Sequence, residues 1–253
     1  MLLEDWSPMN NETINTARYY AASDIAHRWF AFFEGKTEKI DDHLAIFADD
    51  IVLSHAGTHR LAEGKESIKN WLTSLPYEVG SHAILTKKFI PLENNLAQLN
   101  MDISYQYMSP YGEIGGALSK YQTKIRFDEQ NNGTFVFIQK TPILPNPNKV
   151  FRDTFIENRI MSFVYYFQRM LIADLENIRT LLPSSLNQNI ANMLYLFDTI
   201  KAENVHFLDK NEQELSCRFN IKTDNQHYQF KLKLEDILGR YLKIESVPYL
   251  KIL

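Results

Sequence analysis

The feature that most constrains the fold of this chain is an order of elements that occurs twice, on either side of a proline-rich segment. The segment reads KTPILPNPNKVFRD, and Pro142, Pro145 and Pro147 within it disfavour a helix or a central strand. On each side, apolar residues first recur at helical spacing and then alternate with a period of two. The pattern predicts two α+β domains that meet near residue 147.

The predicted helices precede the predicted strands in both halves. The helices of the first half lie in TARYYAASDIAHRWFAFFEG, KIDDHLAIFADD and GKESIKNWLTSL, and its strands in SHAILTKKFIPL, LAQLNMDISYQYM, SKYQTKIRFDE and GTFVFIQKTPI. The second half gives helices in FIENRIMSFVYYFQRMLIADLENIRTLLP and LNQNIANMLYLFDTI, and strands in NVHFLD, ELSCRFNIKT, HYQFKLKLED and RYLKIESVPYL. The matching order and the similar strand endings YQTKIRFDE and YQFKLKLED favour an internal duplication over a chance likeness between two α+β halves.

Length and charge limit the domain count and the partners. A chain of 253 residues can form two domains that each bury a core. We expect an N-terminal extension at 1–14, a pocket-bearing domain at 15–147 and a degenerate, structural second copy at 148–253. The formal net charge of −4 gives no basic surface for nucleic acid or an anionic membrane.

Cysteine usage and hydropathy indicate a cytoplasmic protein. Cys217 is the single cysteine, so the chain has no internal disulfide, and its alternating apolar neighbours predict a buried structural thiol. The start MLLEDWSPMNN is acidic where a signal peptide is basic. No apolar run approaches the roughly 18 residues of a membrane span.

Three short motifs resemble the nuclear-transport-factor-2-like superfamily, which includes ketosteroid isomerases, polyketide cyclases and scytalone dehydratase. They are FADDIVL (Phe47 to Leu53), GKESI starting at Gly64, and IRFDE (Ile125 to Glu129). The match spans roughly residues 15–145, and the second half shares the plan but lacks ADD and the glycine-started helix. The resemblance implies an α+β, cystatin-like cone in which a curved antiparallel sheet wraps around helices. It does not by itself assign a function, because the superfamily contains enzymes, binding proteins and scaffolds.

Strand parity places one histidine on the inward face. Ile51, Leu53 and His55 share a face, and since the first two are apolar this face points inward. Ketosteroid isomerases carry their aspartate general base at the matching position. The resemblance therefore implies that His55 is a candidate base, and imidazole suits proton transfer at neutral pH.

The other predicted pocket residues are mostly aromatic. The candidate donors are Tyr105, Tyr121 and Thr123, and the candidate ligand-binding residues are Trp29, Phe33, Trp71, His82, Met101, Ile103 and Tyr107, with His82 at the rim. This composition is typical of a site for a small, largely apolar ligand.

The chain departs from the isomerase pattern at both donors that stabilise an enolate there. Thr123 stands at the place of a protonated aspartic acid, and Trp29 or Phe30 at the place of a helix tyrosine. One such donor contributes roughly 3–4 kcal/mol, so steroid isomerisation is not expected. A dehydratase-like set of two histidines and tyrosines, namely His55, His82, Tyr105 and Tyr121, stays open.

Three hypotheses of function follow. The first is a binding protein for a small apolar or aromatic molecule, and the second is an isomerase, dehydratase or cyclase with His55 as base. The third is an interaction scaffold whose cones are filled by side chains. No metal ion and no cofactor are expected, although DDH at Asp41 to His43 and HAGTH at His55 to His59 superficially resemble metal motifs. The resemblance also allows a homodimer through the sheet faces.

Overall fold

The computed structural model describes residues 11–35, 39–76, 78–183, 185, 188–199, 204–223, 225–236 and 242–253. Most of the expected extension, residues 1–10, lies outside the described residues. The helices are α1 (Asn11–Gly35), α2 (Ile40–His43), α3 (Lys65–Ser74), α4 (Phe155–Ala173) and α5 (Gln188–Thr199), with 3₁₀ turns at Leu44–Ile46 and Leu175–Leu181. The strands are β1 (Phe47–His55), β2 (His59–Glu63), β3 (Val79–Pro91), β4 (Leu96–Met108), β5 (Ile114–Phe127), β6 (Gly133–Pro145), β7 (Val205–Asn211), β8 (Ser216–Lys222), β9 (His227–Asp236) and β10 (Leu242–Ile252).

The first half forms a six-stranded sheet in the order β2-β1-β6-β5-β4-β3. Neighbouring strands are antiparallel except β1 and β6, which run parallel with Val52 beside Phe137. Helix α1 packs across β3 and β6. Its apolar residues join those of the strands in one core that includes Phe30, Ile51 and Leu99. The helices-plus-antiparallel-sheet architecture predicted for this half is confirmed.

The residues that carried the resemblance have structural roles in this sheet. The carboxylate of Asp50 accepts two hydrogen bonds from the guanidinium of Arg126, at 3.1 and 2.8 Å, which ties β1 to β5. Gly64 has a φ of +80°, a value that favours glycine, and its N–H donates to the carbonyl oxygen of Ile51 at 2.8 Å. All three motifs therefore serve the turn and strand geometry around β1.

The second half forms a four-stranded antiparallel sheet in the order β10-β9-β8-β7. The rings of Phe167, Phe219 and Phe230 meet in its core, with centroids 5.2 to 5.3 Å apart. Cys217 is fully buried there, as predicted. Burial in this apolar core raises the pKa of the Cys217 thiol, which makes a reactive thiolate unfavourable.

The two halves contact each other chiefly through α1 and α4. Helix α1 is apolar on the side that faces the first sheet and also buries Ala31, Asp24 and His27 on its other side. The layers therefore follow the order sheet, α1, α4, sheet. The internal duplication itself stays a prediction, since helix and strand order alone do not establish it.

Three details differ from the sequence-based prediction. FADD begins strand β1 instead of ending a helix, and β2 was not predicted. Pro142 and Pro145 lie within β6, although the prolines were expected to break a central strand. The last pair between β1 and β6 is His55 with Lys140, so both prolines follow the part of β6 that is flanked on both sides.

Candidate functional site

A cavity of about 320 Å³ opens in the first half, between α1, α3 and the ends of several strands. Its wall consists mainly of aromatic and aliphatic side chains, with a few ionisable groups. The lining residues are Trp29, Phe32, Phe33, Leu53, Ser54, His55, Leu61, Trp71, Leu72, Leu75, Pro76, Glu78, Gly80, His82, Tyr105, Tyr121 and Lys140.

The structure brings seven of the eleven predicted site residues together around this cavity. They are His55, Tyr105, Tyr121, Trp29, Phe33, Trp71 and His82. Met101 and Ile103 share the predicted inward face but are buried in the hydrophobic core. Tyr107, at the end of β4, is 37% exposed. The hydroxyl of Thr123 donates to the carbonyl oxygen of Leu99 at 2.8 Å, so it is engaged within the sheet.

His82 is buried in the cavity wall, whereas the sequence placed it at the rim. Its ring stacks between those of Phe30 and Tyr105, with centroids 5.1 and 4.9 Å away. Its Nδ1 has no hydrogen-bond partner among the described residues and lies 3.5 Å from Oε1 of Glu34. The imidazole and this carboxylate are therefore neighbours inside the protein.

Glu34, in the last turn of α1, is a buried carboxylate with several donors. Its Oε1 accepts hydrogen bonds from the backbone N–H of His82 at 2.5 Å and from the hydroxyl of Thr154 at 2.7 Å. The amide of Asn158 donates to Oε1 at 3.2 Å and to Oε2 at 3.1 Å. Hydrogen bonds of this kind offset the cost of burying the carboxylate.

A second polar group in the wall consists of Tyr105, Glu78 and Lys140. The hydroxyl of Tyr105 donates to Oε2 of Glu78 at 2.7 Å, and the Lys140 ammonium lies 4.7 Å from the centre of the Tyr105 ring. Burial raises the pKa of Tyr105, and the nearby Glu78 raises it further, so this phenol stays protonated. Burial lowers the pKa of Lys140, an effect that Glu78 opposes.

The remaining polar positions in the wall are His55, Trp29 and Tyr121. His55 ends β1, opposite His59 on β2 and beside Lys140 on β6. The indole N–H of Trp29 is buried and has no hydrogen-bond partner among the described residues. Burial raises the pKa of Tyr121, so its hydroxyl is a neutral donor or acceptor.

Sequence reasoning missed Glu34, Glu78 and Lys140. Lys140 reaches the cavity because β6 pairs in parallel with β1, a contact that no local pattern reveals. Glu34 looked like an ordinary charged residue at a helix end, and its donors Thr154 and Asn158 come from the other half of the chain. A polar residue within the otherwise apolar FAFFEG was the one local signal for it.

Neither of the two motifs that resemble metal sites brings a set of potential metal ligands together. In Asp41 to His43, His43 is buried and stacks on the ring of Phe32 with centroids 4.0 Å apart. His55 and His59 face each other across a hairpin, and His59 is exposed. Among the residues that the structure describes, no three His, Cys, Asp or Glu side chains are grouped so that they could hold a metal ion.

Comparisons with known proteins give structural likeness alone. No family model and no curated protein sequence matches the chain. A solved structure described as an aromatic ring hydroxylase from Novosphingobium aromaticivorans is 16% identical, with a TM-score of 0.43 and coverage of 51% of this chain and 90% of its own. A hexachlorocyclohexane dehydrochlorinase from Novosphingobium barchaimii is 10% identical, with a TM-score of 0.47 and coverage of 56% and 97%. An uncharacterised protein with a cystatin-like fold from Caulobacter vibrioides is 14% identical, with a TM-score of 0.41 and coverage of 50% and 89%.

The described part of the chain is α+β, as predicted, with sheets of six and four strands, and the nuclear-transport-factor-2-like superfamily stays what the sequence motifs imply. At these identities the likeness concerns the fold, and the activities of the neighbours are not transferred by it. None of the helices in the described part of the chain is long and apolar enough to cross a membrane.

Proposed function

We propose that the first half of the chain binds a small, flat, largely aromatic organic molecule in the cavity beside His55 and His82. The observation that carries the proposal is the cavity itself, whose volume of about 320 Å³ suits a ligand of one or two rings. Trp29, Phe33 and Trp71 offer ring faces to such a ligand. An interaction scaffold with a filled cone has no need of this space.

The polar groups in the wall favour a ligand with an oxygen acceptor. The unpartnered indole N–H of Trp29 and the ammonium of Lys140 are donors that the protein itself leaves available in the described structure. A buried donor without a partner is unfavourable, so a carbonyl, phenol or carboxylate oxygen that accepts from it contributes to affinity. A purely aliphatic hydrocarbon would leave these donors unmatched.

A fluorescence titration tests ligand binding, since two tryptophans line the cavity. We expect 2-naphthol to quench the tryptophan emission saturably. Gly80→Val places a side chain in the cavity, because a Cβ at Gly80 would lie 3.8 Å from Tyr105 and 4.0 Å from His82. The variant should lose quenching, whereas Lys88→Val on the exposed side of β3 should retain it. Equal, unsaturable quenching of all three proteins would contradict the proposal.

A second candidate function is an enzyme of the isomerase, dehydratase or cyclase type. The proximity of Glu34 to Nδ1 of His82 favours it, because a carboxylate beside one imidazole nitrogen orients the ring and makes the other nitrogen a better base. In this hypothesis His82 takes a proton from a ligand carbon, and His55 is the alternative base. Tyr105 and Tyr121 are the candidate donors to a developing oxyanion.

Proton abstraction can be measured without knowledge of the natural substrate. We expect the protein to accelerate exchange of the α-hydrogens of 2-tetralone for deuterium in D₂O, as followed by NMR. His82→Gln should abolish the acceleration while tryptophan quenching by the same ketone persists, and His55→Gln shows whether the second histidine contributes. Acceleration that survives in both variants would exclude histidine catalysis.

A further inference from the structure

We propose that the C-terminal half sets the orientation of His82 in the cavity, with Asn158 and Thr154 of that half as positioning residues. The inference rests on the proposed role of the Glu34–His82 pair and adds a task for the second half, which the sequence predicted to be only structural. Both residues belong to the start of α4: Thr154 immediately precedes the helix and Asn158 lies in its first turn.

Asn158 connects three groups of the first half. Its Nδ2 donates to both oxygens of Glu34, at 3.2 and 3.1 Å, and to the carbonyl oxygen of His82 at 3.1 Å. Its Oδ1 is then the acceptor for the Nδ1–H of His27, 2.8 Å away. Asn158 is only 2% exposed, so water does not replace these bonds.

Thr154 adds a second link to the same pair. Its hydroxyl donates to Oε1 of Glu34 at 2.7 Å and accepts from the backbone N–H of His82 at 3.0 Å. Thr154 is 1% exposed. A single threonine hydroxyl therefore touches both members of the pair, from a segment that belongs to the other half of the chain.

These contacts determine where the carboxylate of Glu34 points. The side chain of Glu34 is 1% exposed, and three of the four hydrogen bonds described above come from Thr154 and Asn158. Without these two residues, only the bond from the backbone N–H of His82 would remain. A buried carboxylate with one donor would rotate toward another donor or toward solvent. The distance of 3.5 Å between Glu34 and Nδ1 of His82 depends on this support.

The same helix pair offers a matched control. The hydroxyl of Ser162 on α4 donates to the carboxylate of Asp24 on α1 at 2.6 Å, and both residues are buried. This bond also joins the halves, and neither Ser162 nor Asp24 takes part in the hydrogen bonds described above for Glu34 and His82. Ser162→Ala therefore weakens the interface without altering the support of the pair.

The imidazole ¹⁵N chemical shifts of His82, measured at one neutral pH in the full chain, test the inference. In the wild type we expect one tautomer with Nδ1–H toward Glu34, and therefore two widely separated ¹⁵N signals. Asn158→Ala should bring the signals closer together, whereas Ser162→Ala should leave them in place. Unchanged signals in a folded Asn158→Ala protein would overturn the inference.

One further variant separates this inference from the proposed function. Glu34→Gln should move the His82 signals, and if it does not, the Glu34–His82 pair itself is refuted. If Glu34→Gln moves them and Asn158→Ala does not, only the role of the C-terminal half is refuted. Should Asn158→Ala fail to fold, Thr154→Val provides the same test, with Thr154→Ser as the variant that retains the hydroxyl and should restore the wild-type signals.

Discussion

The Nδ1 atom of His27 lies 2.8 Å from Oδ1 of Asn158, inside the contact between α1 and α4. Burial, reinforced by the charge of Lys87, lowers the pKa of His27 from 6.5 to about 3. The histidine is therefore neutral in the folded protein throughout the physiological pH range. The neutral tautomer with a proton on Nδ1 donates to Oδ1 of Asn158, and the Nδ2 amide of Asn158 donates to Glu34.

The lowered pKa of buried His27 predicts a pH dependence of stability. The unfolded chain protonates His27 near pH 6.5 and the folded chain only near pH 3, so the free energy of unfolding should fall as the pH is lowered between these values. The limit for one such group is about 1.4 kcal/mol per pH unit. His27→Gln should flatten the dependence in urea denaturation, and His59→Gln, on the exposed hairpin, should not. A slope that His27→Gln leaves unchanged would assign the effect to other groups.

Gly116 should tolerate no side chain. Its φ is +134°, and a Cβ there would overlap the carbonyl oxygen of Tyr105 and lie 2.9 Å from the Cα of Gln106. Gly116→Ala should lower the free energy of unfolding by more than about 3 kcal/mol, because both obstacles are backbone atoms. Gly112, with a φ of +81° and open space around its Cβ position, is the control. Gly112→Ala should cost about 1 kcal/mol of backbone strain. Comparable losses in thermal unfolding would contradict the predicted clash.

Lys140 should contribute to ligand binding at a cost in stability. Burial lowers its pKa, so its charged form is disfavoured in the fold relative to the unfolded chain. Lys140→Met should raise the free energy of unfolding by about 1 kcal/mol at neutral pH. The gain should shrink as the pH rises toward 10.5, where the unfolded chain also loses the proton.

The variant Lys140→Met, although more stable, should bind an anionic probe more weakly than the wild type. Lys140→Met should raise the dissociation constant of 2-naphthoate, measured by tryptophan quenching, at least tenfold, because it removes a cation from the cavity wall. Lys124→Met, on the exposed side of β5, is the control and should change neither stability nor binding. A Lys140→Met protein that binds 2-naphthoate as well as the wild type would show that the ammonium does not face the ligand.

The aromatic core of the second half should determine its stability. Phe230 is fully buried and stacks on Phe219 with centroids 5.3 Å apart. Phe230→Ala should lower the free energy of unfolding by about 3–5 kcal/mol. Leu208→Ala, at a position that is 42% exposed, should change it by less than about 1 kcal/mol. Chemical denaturation followed by circular dichroism distinguishes these outcomes, and equal losses would argue against a packed core around Phe230.

Local patterns predicted most of the elements and part of the site. Strand β4 and strand β9 have the predicted limits, because alternation over ten or more residues is a strong signal. The same parity led to His55, Tyr105 and Tyr121, which line the cavity. Parity could not show where the cavity ends, and so the prediction also included Met101 and Ile103, which belong to the buried core.

Contacts between distant segments explain what the sequence could not give. Strand parity puts Gln106 on the opposite face of β4 from Tyr105, yet Gln106 is only 2% exposed. Residues 148–150 cover it, and its Nε2 donates to the carbonyl oxygens of Asn148 and Val150 at 3.1 and 2.9 Å. Lys140 and Glu34 were missed for the same physical reason. Their surroundings are made by a parallel strand pair and by a helix of the other half, and neither follows from periodicity.

The parallel pairing of β1 with β6 has a consequence for synthesis on the ribosome. The β1–β2 hairpin is local and can form early. The other edge of β1 can pair only after β6 has been synthesised, because Val52 lies beside Phe137. The nascent chain therefore exposes one unpaired edge of an apolar strand during most of the translation of its first half. A chaperone that shields unpaired strand edges would bind the nascent chain between the formation of the hairpin and the pairing of β1 with β6. The wall of the cavity is complete only after that pairing.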